Sequence, residues 1–275
     1  MAVDWLQRIL ASKRAEVAAA RRQIPESRLA DVAGRRPAGP SLAEALLPGA
    51  GGRPVNIIAE IKRASPSKGD IRSDLDAGET ASAYAQGGAA AVSVLTDTPF
   101  FKGSAADLQA ARRACDLPLL RKDFVISAYQ IYEAAVWGAD AVLLIVRILE
   151  KPQLVDFLSL CRELRLDALV EIYDEAEVET AAAVGARLVG INNRNLKTFA
   201  TDLGHAARLS RRLAPGQIAV AASGVRGPED IAAGRAAGLT NFLIGESLVR
   251  AADPIQALRA LTTAGSTAPA GQGRG

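Results

Sequence analysis

The sequence of 275 residues is poor in the side chains that most often bind metals or cross-link a chain. It has two cysteines, Cys115 and Cys161, and one histidine, His205. Two distant cysteines provide neither a disulfide framework nor a zinc site. Both fall in helix-like stretches, which favours buried thiols. His205 stands at the start of a predicted helix, and we interpret it as a surface residue without a catalytic role.

The chain also lacks a long uncharged hydrophobic run and a strong excess of either charge. No such run approaches the roughly 20 residues of a membrane-spanning helix. Asp4, Arg8 and Lys13 interrupt any apolar core of a signal peptide. The 33 basic and 30 acidic residues give a net charge of +3, a balance that does not favour nucleic acid but suits an anionic metabolite. We expect a cytoplasmic protein that binds neither a membrane nor nucleic acid.

What the sequence does contain is a regular alternation of short apolar runs and alanine-rich helical patterns. Hydrophobic residues make up 49% of the chain, enough for a substantial core. The predicted strands are 55–61, 91–95, 117–122, 141–146, 168–172, 188–192, 218–223 and 241–244. The predicted helices between and after them are 78–87, 104–114, 128–137, 151–164, 174–184, 202–213, 228–237 and 253–263. Gly88, Gly138 and Gly185 each stand where a helix would end before a strand.

Eight strand–helix units in a chain of this length predict an α/β fold, a (β/α)8 TIM barrel, which typically takes about 250 residues. A doubly wound open sheet is the alternative. The first strand is not followed by the glycine-rich turn that binds dinucleotides in such sheets, which favours the barrel. We predict an N-terminal helical extension at 1–54, the barrel at 55–263, and a disordered tail at 264–275.

Two helices are predicted in the extension. Residues 3–22 have apolar residues at helical spacing with charged residues around them, typical of an amphipathic helix. A short helix begins at Ser41, with Glu44 at the spacing of a capping box. Trp5 would help the first helix to cover the barrel mouth.

The first predicted strand carries opposite charges towards its end. Residues two apart in a strand point to the same side, so Glu60 and Lys62 share a face with Ile58. If Ile58 lies in the interior, burying these charges is costly unless they are paired or serve chemistry. Pro66 then ends the strand. The pattern predicts a site at this strand end.

Polar side chains also follow most of the other predicted strands, and catalytic groups of barrels gather at the carboxyl ends of strands. Glu171 lies between Val170 and Ile172, so its side chain points into the barrel. The remaining polar or aromatic residues at strand ends are Arg121, Lys122, Asp123, Phe124, Asn192, Asn193 and Arg194. Their common placement predicts one active site on the rim.

The last two strands carry a second signal. Ser223 and Gly224 follow the seventh strand, and Gly245, Glu246 and Ser247 follow the eighth. Barrels of this class commonly bind phosphate with the loops after these two strands and a helix N-terminus. We infer a phosphorylated small-molecule substrate.

With these residues in place, the chain from about residue 3 to residue 263 resembles the indole-3-glycerol phosphate synthase family. The sequence segments that carry the resemblance are AEIKRASPS at 59–67, SVLTD at 93–97, FFKG at 100–103, RKDF at 121–124, LLIV at 143–146, LVEI at 169–172, GINNRNL at 190–196 and LIGESL at 243–248. The resemblance implies a carbon–carbon lyase (carboxy-lyase) of tryptophan biosynthesis. It would close the indole ring of 1-(2-carboxyphenylamino)-1-deoxyribulose 5-phosphate with loss of carbon dioxide and water, and without a metal or cofactor.

The resemblance also implies roles for individual residues. Lys122 matches the family's general acid and Glu171 its general base. The other matching catalytic positions are Glu60, Lys62 and Asn192. Matching contacts to the substrate's anionic groups are Ser65, Arg194, Ser223, Gly224, Gly245 and Ser247. The matching wall around the anthranilate ring consists of Phe101, Phe124 and Leu143. We expect a monomer or a weak homodimer.

One position departs from the family pattern. Ala222 stands where the family usually has a glutamate before Ser223 and Gly224. Two alternatives to the function implied by the resemblance stay open, and only one of them rests on Ala222. The first is a catalytically weakened phosphate-binding barrel, which Ala222 alone supports. The second is another phosphate-binding barrel enzyme such as phosphoribosylanthranilate isomerase. That reaction needs a cysteine and an aspartate at strand ends, and the placement of both cysteines in predicted helices argues against it.

Overall fold

The structure, a computed structural model, describes residues 5–194 and 201–264. Eight parallel strands form a closed barrel, which confirms the predicted fold. The strands are β1 (Asn56–Ile61), β2 (Ala91–Leu95), β3 (Leu119–Lys122), β4 (Ala141–Ile145), β5 (Asp167–Ile172), β6 (Leu188–Asn192), β7 (Ile218–Ala222) and β8 (Asn241–Ile244). Each strand pairs with the next, and β8 pairs with β1, so no barrel strand has a free edge.

Helices follow the strands and surround the barrel. In chain order they are α4 (Ala77–Gln86), α5 (Thr98–Phe101), α6 (Ala105–Ala114), α7 (Ala128–Trp137), α8 (Lys151–Glu163), α9 (Glu175–Ala183), α10 (Leu203–Ser210), α11 (Pro228–Ala236), α12 (Glu246–Arg250) and α13 (Pro254–Ala264). The predicted bounds differ from these by at most three residues, the most at α10. The short helices α5 and α12 were not predicted, because four or five residues carry too little periodicity.

Alternation along each strand divides the apolar residues into two layers. In β1, Ile57, Ala59 and Ile61 pack in the large cluster between strands and helices. Ile58 packs instead in the barrel interior. The condition on which the site at this strand end depended, an interior Ile58, is therefore met, and Glu60, two residues on, lies at the carboxyl-terminal end of that interior.

Among residues 5–55, three α-helices precede the barrel: α1 (Trp5–Gln23), α2 (Glu26–Gly34) and α3 (Leu42–Ala45). The sequence did not predict α2. It begins directly after Pro25 and buries only Leu29 and Ala33, too few apolar residues for a clear helical period. It packs against α7 on the outside of the barrel.

Helix α3 closes the bottom of the barrel. Leu42, Ala43 and Leu46 are fully buried in the interior cluster. The predicted cap is present: the Ser41 hydroxyl accepts a hydrogen bond from the Glu44 amide at 3.1 Å. The Ser41 hydroxyl also donates to Asp167 Oδ2 at 2.9 Å. Asp167 begins β5, so this contact fastens the extension to the amino-terminal ends of the strands.

Helix α1 reaches the opposite end of the barrel. Trp5 packs edge-on against Phe100, with ring centroids 6.4 Å apart. Lys13, which the helical pattern placed among the charged residues around the apolar stripe, has no solvent exposure. Its ammonium lies 3.0 Å from Asp97 and 2.9 Å from Asp123, which follow β2 and β3. Those carboxylates stabilise a charge that would otherwise be costly to bury.

The predictions about the two cysteines and about membrane spans can be compared with the structure. Cys161 is buried in α8, whereas Cys115 directly follows α6 and is only half-buried. Among the helices of residues 5–194 and 201–264, none is long and apolar enough to cross a membrane. Ala264 ends α13; the remainder of the predicted tail, 265–275, lies outside the described residues.

Replacement of Ser41 by alanine tests the bottom closure. Ser41→Ala removes the α3 cap and the bond to Asp167, so we expect the free energy of unfolding to fall by about 1–2 kcal/mol. Urea denaturation measures this. Ser159→Ala is the matched control, since that hydroxyl makes one 3.4 Å surface contact to Glu163. Equal losses in the two variants would contradict a role for the cap.

Candidate active site

The carboxyl-terminal ends of the strands form the rim of the barrel, and on this rim a carboxylate lies between two ammonium groups. Lys62 Nζ lies 2.5 Å from Glu60 Oε1, and Lys122 Nζ lies 3.9 Å from Glu60 Oε2. The Glu60 side chain is 4% exposed, while Lys62 and Lys122 keep 18% and 21%. The buried carboxylate thus holds two partly exposed cations at the mouth.

The charge state of Glu60 follows from this arrangement. Burial by itself would raise its pKa, but Lys62 and Lys122, with a smaller effect from Arg194, lower the pKa below its usual value of 4.5. Glu60 is therefore ionised at neutral pH and is suited to orient cations rather than to donate a proton.

Glu171 and Asn192 form a second pair on the same rim. Glu171 points inward from β5, as predicted, and its Oε1 accepts a hydrogen bond from Asn192 Nδ2 at 3.3 Å. Asn192 Oδ1 accepts in turn from the Arg194 amide at 3.0 Å and from the Ser223 hydroxyl at 3.4 Å. Asn192 therefore joins the ends of three neighbouring strands.

Arg194 extends this network across the barrel mouth. Its Nη1 donates to the Ser67 hydroxyl at 3.0 Å, and Ser67 lies 3.5 Å from the Ser65 hydroxyl. Both serines belong to the loop after β1, where a short hairpin pairs Ala64–Ser65 with Gly69–Asp70. Two of the predicted anion contacts, Ser65 and Arg194, are thus brought together.

The turns after β7 and β8 are adjacent and tightly built. Ser223 and Gly224 have φ angles of +74° and +92°, so the non-glycine Ser223 adopts a strained left-handed conformation. The Ser247 hydroxyl donates to the Val225 carbonyl at 3.3 Å and ties the turns together. At Gly245 a Cβ would lie 2.5 Å from Glu60 Oε1. Only a glycine leaves room for the carboxylate there.

An apolar wall lines the opposite part of the rim. The rings of Phe101 and Phe124 lie 6.1 Å apart, although one belongs to α5 and the other follows β3. Leu143 of β4 is 2% exposed and belongs to the interior cluster on which Phe124 packs. Phe124 therefore links Phe101 of α5 to the interior cluster that contains Leu143.

Comparison with known proteins shows the family of the whole chain. A family model described as indole-3-glycerol phosphate synthase matches residues 6–261. The chain belongs to the indole-3-glycerol phosphate synthase family. A relative named indole-3-glycerol phosphate synthase from Desulfosudis oleivorans is 55% identical over 260 residues, 94% of this chain and 99% of the relative. One of the same name from Syntrophobacter fumaroxidans is 50% identical over 251 residues, 91% and 94% of the two chains.

A solved structure, thiamine phosphate pyrophosphorylase from Pyrococcus furiosus, has a TM-score of 0.60 at 14% identity, covering 82% of this chain and 98% of that one. This likeness shows the fold alone. Membership of the indole-3-glycerol phosphate synthase family lends no support to the alternative of a weakened barrel. Ala222 is a buried interior residue in register with Asn192 and Leu243.

Not every polar residue at a strand end faces the rim. Arg121 is fully buried and pairs with Asp123 Oδ2 and Glu133 Oε2, each at 3.1 Å. Its guanidinium also stacks on Trp137 at 4.2 Å. Lys122 lies between Arg121 and Asp123 and points the other way, so alternation assigns Lys122 to the site and its two neighbours to the helix layer.

Asn193 is likewise structural. It is buried, donates to the Ser223 carbonyl at 3.0 Å and accepts from the Ala206 amide at 2.9 Å. It therefore braces the turn after β7 from behind and leaves Asn192 to face the rim.

A cluster next to Glu171 was not predicted. The end of β4 reads as apolar, but Arg147 follows it and binds Glu177 Oε1 through Nε at 3.1 Å and Nη2 at 3.0 Å. A small pocket lies between Arg147, Glu171 and Asn192. His205, expected on the surface, is half-buried, with Nε2 2.6 Å from the Tyr173 carbonyl.

The close approach at Gly245 gives a first test of the rim. Gly245→Ala would press a methyl group against Glu60, so we expect a loss of about 1–3 kcal/mol in unfolding free energy by urea denaturation. Gly34→Ala is the control, because a Cβ there meets nothing within 4 Å. A Gly245→Ala variant as stable as Gly34→Ala would refute the crowding.

The lowered pKa of Glu60 gives a second test. Because the folded pKa is below 4.5, the stabilisation from ionised Glu60 is fully present above that pH and is lost as the pH falls through the folded pKa. The difference in unfolding free energy between the wild type and Glu60→Gln should therefore shrink below about pH 4.5. Urea unfolding at stepped pH measures it. Glu179→Gln, on exposed α9 surface, serves as the control; a difference that stays constant would contradict the argument.

Proposed function

We propose that this chain is an indole-3-glycerol phosphate synthase. It would convert 1-(2-carboxyphenylamino)-1-deoxyribulose 5-phosphate to indole-3-glycerol phosphate, carbon dioxide and water. The observation that carries the proposal is the rim itself: Lys62 and Lys122 flank buried Glu60, and Glu171 with Asn192 stands on the same rim. Family membership over residues 6–261 supports it.

The first step forms a carbon–carbon bond between the anthranilate ring carbon that bears the carboxylate and the ribulose carbonyl. Negative charge develops on the carbonyl oxygen, and an ammonium placed there stabilises it. Lys122 takes this role and protonates the oxygen. Glu60, 3.9 Å away, keeps the Lys122 side chain directed at the mouth.

Carbon dioxide then leaves, and its bonding electrons return to the ring. Lys122, which is 21% exposed, regains a proton from solvent and passes it to the hydroxyl formed in the first step, which leaves as water. Glu171 removes a proton from the carbon chain and so completes the aromatic indole. Its hydrogen bond from Asn192 at 3.3 Å orients the carboxylate for this transfer.

Lys62 has two assignments within this scheme. It binds the substrate carboxylate, or it assists proton transfer. Its 2.5 Å contact with Glu60 and its 18% exposure suit both, because the ammonium is oriented from below and open to a ligand above.

Binding of the two ends of the substrate is divided between opposite parts of the rim. The phosphate would lie against the turns that carry Ser223, Gly224, Gly245 and Ser247, with Ser65 and Arg194 at the side. Phe101, Phe124 and Leu143 would hold the aromatic ring folded towards the carbonyl and so supply proximity.

We also propose that the enzyme works in the cytoplasm as a monomer or weak homodimer, with 1–54 as a helical extension of a catalytic barrel at 55–263. The side chains assigned to the reaction, Glu60, Lys62, Lys122, Glu171 and Asn192, meet at the strand ends of a single barrel, which supports a site formed by one copy.

Indole fluorescence that appears on addition of the substrate tests the proposed function. In Lys122→Met we expect kcat to fall by roughly two to four powers of ten, the usual range for a lost general acid. Lys151→Met, at an exposed position of α8, is the control and should keep wild-type turnover.

Two outcomes would go against the proposal. A wild-type chain that produces no indole signal with this substrate would refute the function. A Lys122→Met variant within a factor of two of the wild type would remove Lys122 from the mechanism.

A further inference from the structure

Lys13 lies far from the barrel in the sequence, but its ammonium group is buried at the edge of the active-site rim. It has no solvent exposure and lies 3.0 Å from Asp97 Oδ2 and 2.9 Å from Asp123 Oδ1. The two carboxylates are at most 1% exposed. A third carboxylate, that of Glu16 one turn further along α1, lies 2.8 Å away at the surface.

Each buried carboxylate also binds the backbone beside an aromatic wall residue. Asp97 Oδ1 accepts from the Phe100 amide at 2.9 Å and so caps α5, whose last residue is Phe101. Asp123 Oδ1 accepts from the Phe124 amide at 2.8 Å. One ammonium group therefore joins the two anchors that hold the two wall rings.

The charges make this junction hard to rearrange. Burial would lower the pKa of Lys13, but Asp123, Asp97 and Glu16 outweigh it and raise the pKa above its usual value. Burial would likewise raise the pKa of Asp123, yet Arg121 and Lys13 lower it to about 2. Without the ammonium, two buried carboxylates from different loops would face each other without their shared cation, which is strongly unfavourable.

We propose that Lys13 is a positioning residue that sets the spacing of Phe101 and Phe124 and thereby the binding of the aromatic part of the substrate. The inference rests on the proposed function. Lys13 touches no substrate; it acts through Asp97 and Asp123. The turns after β7 and β8, which would bind the phosphate, contain neither Asp97 nor Asp123. Phosphate binding is therefore independent of Lys13.

The test compares Lys13→Met with Arg14→Met. Both variants lose one positive charge from α1, but Arg14 is exposed. In Lys13→Met we expect KM to rise by about tenfold, because small displacements of substrate-positioning groups are costly. The inhibition constant of inorganic phosphate should stay within about twofold of the wild type, since Lys13 does not reach that end. Arg14→Met should change neither constant.

Asp97→Asn gives a milder variant in case Lys13→Met does not fold. Asparagine keeps a side-chain acceptor for the α5 cap but loses the charge that binds Lys13. KM should rise in the same direction, by about threefold, again with unchanged phosphate inhibition. KM and the inhibition constant do not depend on the fraction of active enzyme, so a loss of stability alone leaves both unchanged.

Two results would overturn the proposal: an unchanged KM in a folded Lys13→Met or Asp97→Asn variant, or equal changes in KM and in phosphate inhibition. Failure of the proposed function is recognised separately, because the wild type would then show no turnover. In that case calorimetric titration with anthranilate and with inorganic phosphate decides the role of Lys13. Selective loss of anthranilate binding in the variant supports it, and equal binding by variant and wild type refutes it.

Discussion

The carboxylate of Glu60 is the interaction on which the rim is built. A buried carboxylate is unfavourable unless it is paired, and here each of its oxygens faces a different lysine. The pairing places the end of β3 close to the end of β1, with only β2 between them. It also requires β8 to end in Gly245, because any side chain there would meet the same carboxylate. The pairing of β8 with β1, which closes the barrel, therefore also brings Gly245 against Glu60.

The N-terminal segment fastens both ends of the barrel. At the bottom, Ser41 and the α3 side chains close the interior over apolar residues and Asp167. At the top, Lys13 binds the carboxylates that follow β2 and β3. Because α3 is remote from the chemistry and α1 borders it, the two contacts have separate consequences: the first bears on stability, and the second on the geometry of the aromatic wall.

Strand alternation divides neighbouring residues between these tasks. In the run from Arg121 to Phe124, Lys122 faces the mouth, whereas Arg121 and Asp123 form a buried ion pair beneath the helices. Asn192 and Asn193 show the same division, one towards Glu171 and the other behind the turn after β7. A charged strand end is therefore not one functional unit. Alternate residues form the site, and those between them hold the strand end in place.

The sequence was sufficient for the eight-fold alternation of strands and helices, the inward direction of Glu60 and Glu171, and the capping role of Ser41. These depend on local period and spacing, which neighbouring residues encode. It was insufficient for Lys13, which reads as one more charge on an amphipathic helix, and for His205 and Arg147, whose partners lie some 30 residues away in the chain. Burial of a charge depends on which distant groups surround it, and only the tertiary structure brings Asp97 and Asp123 to Lys13.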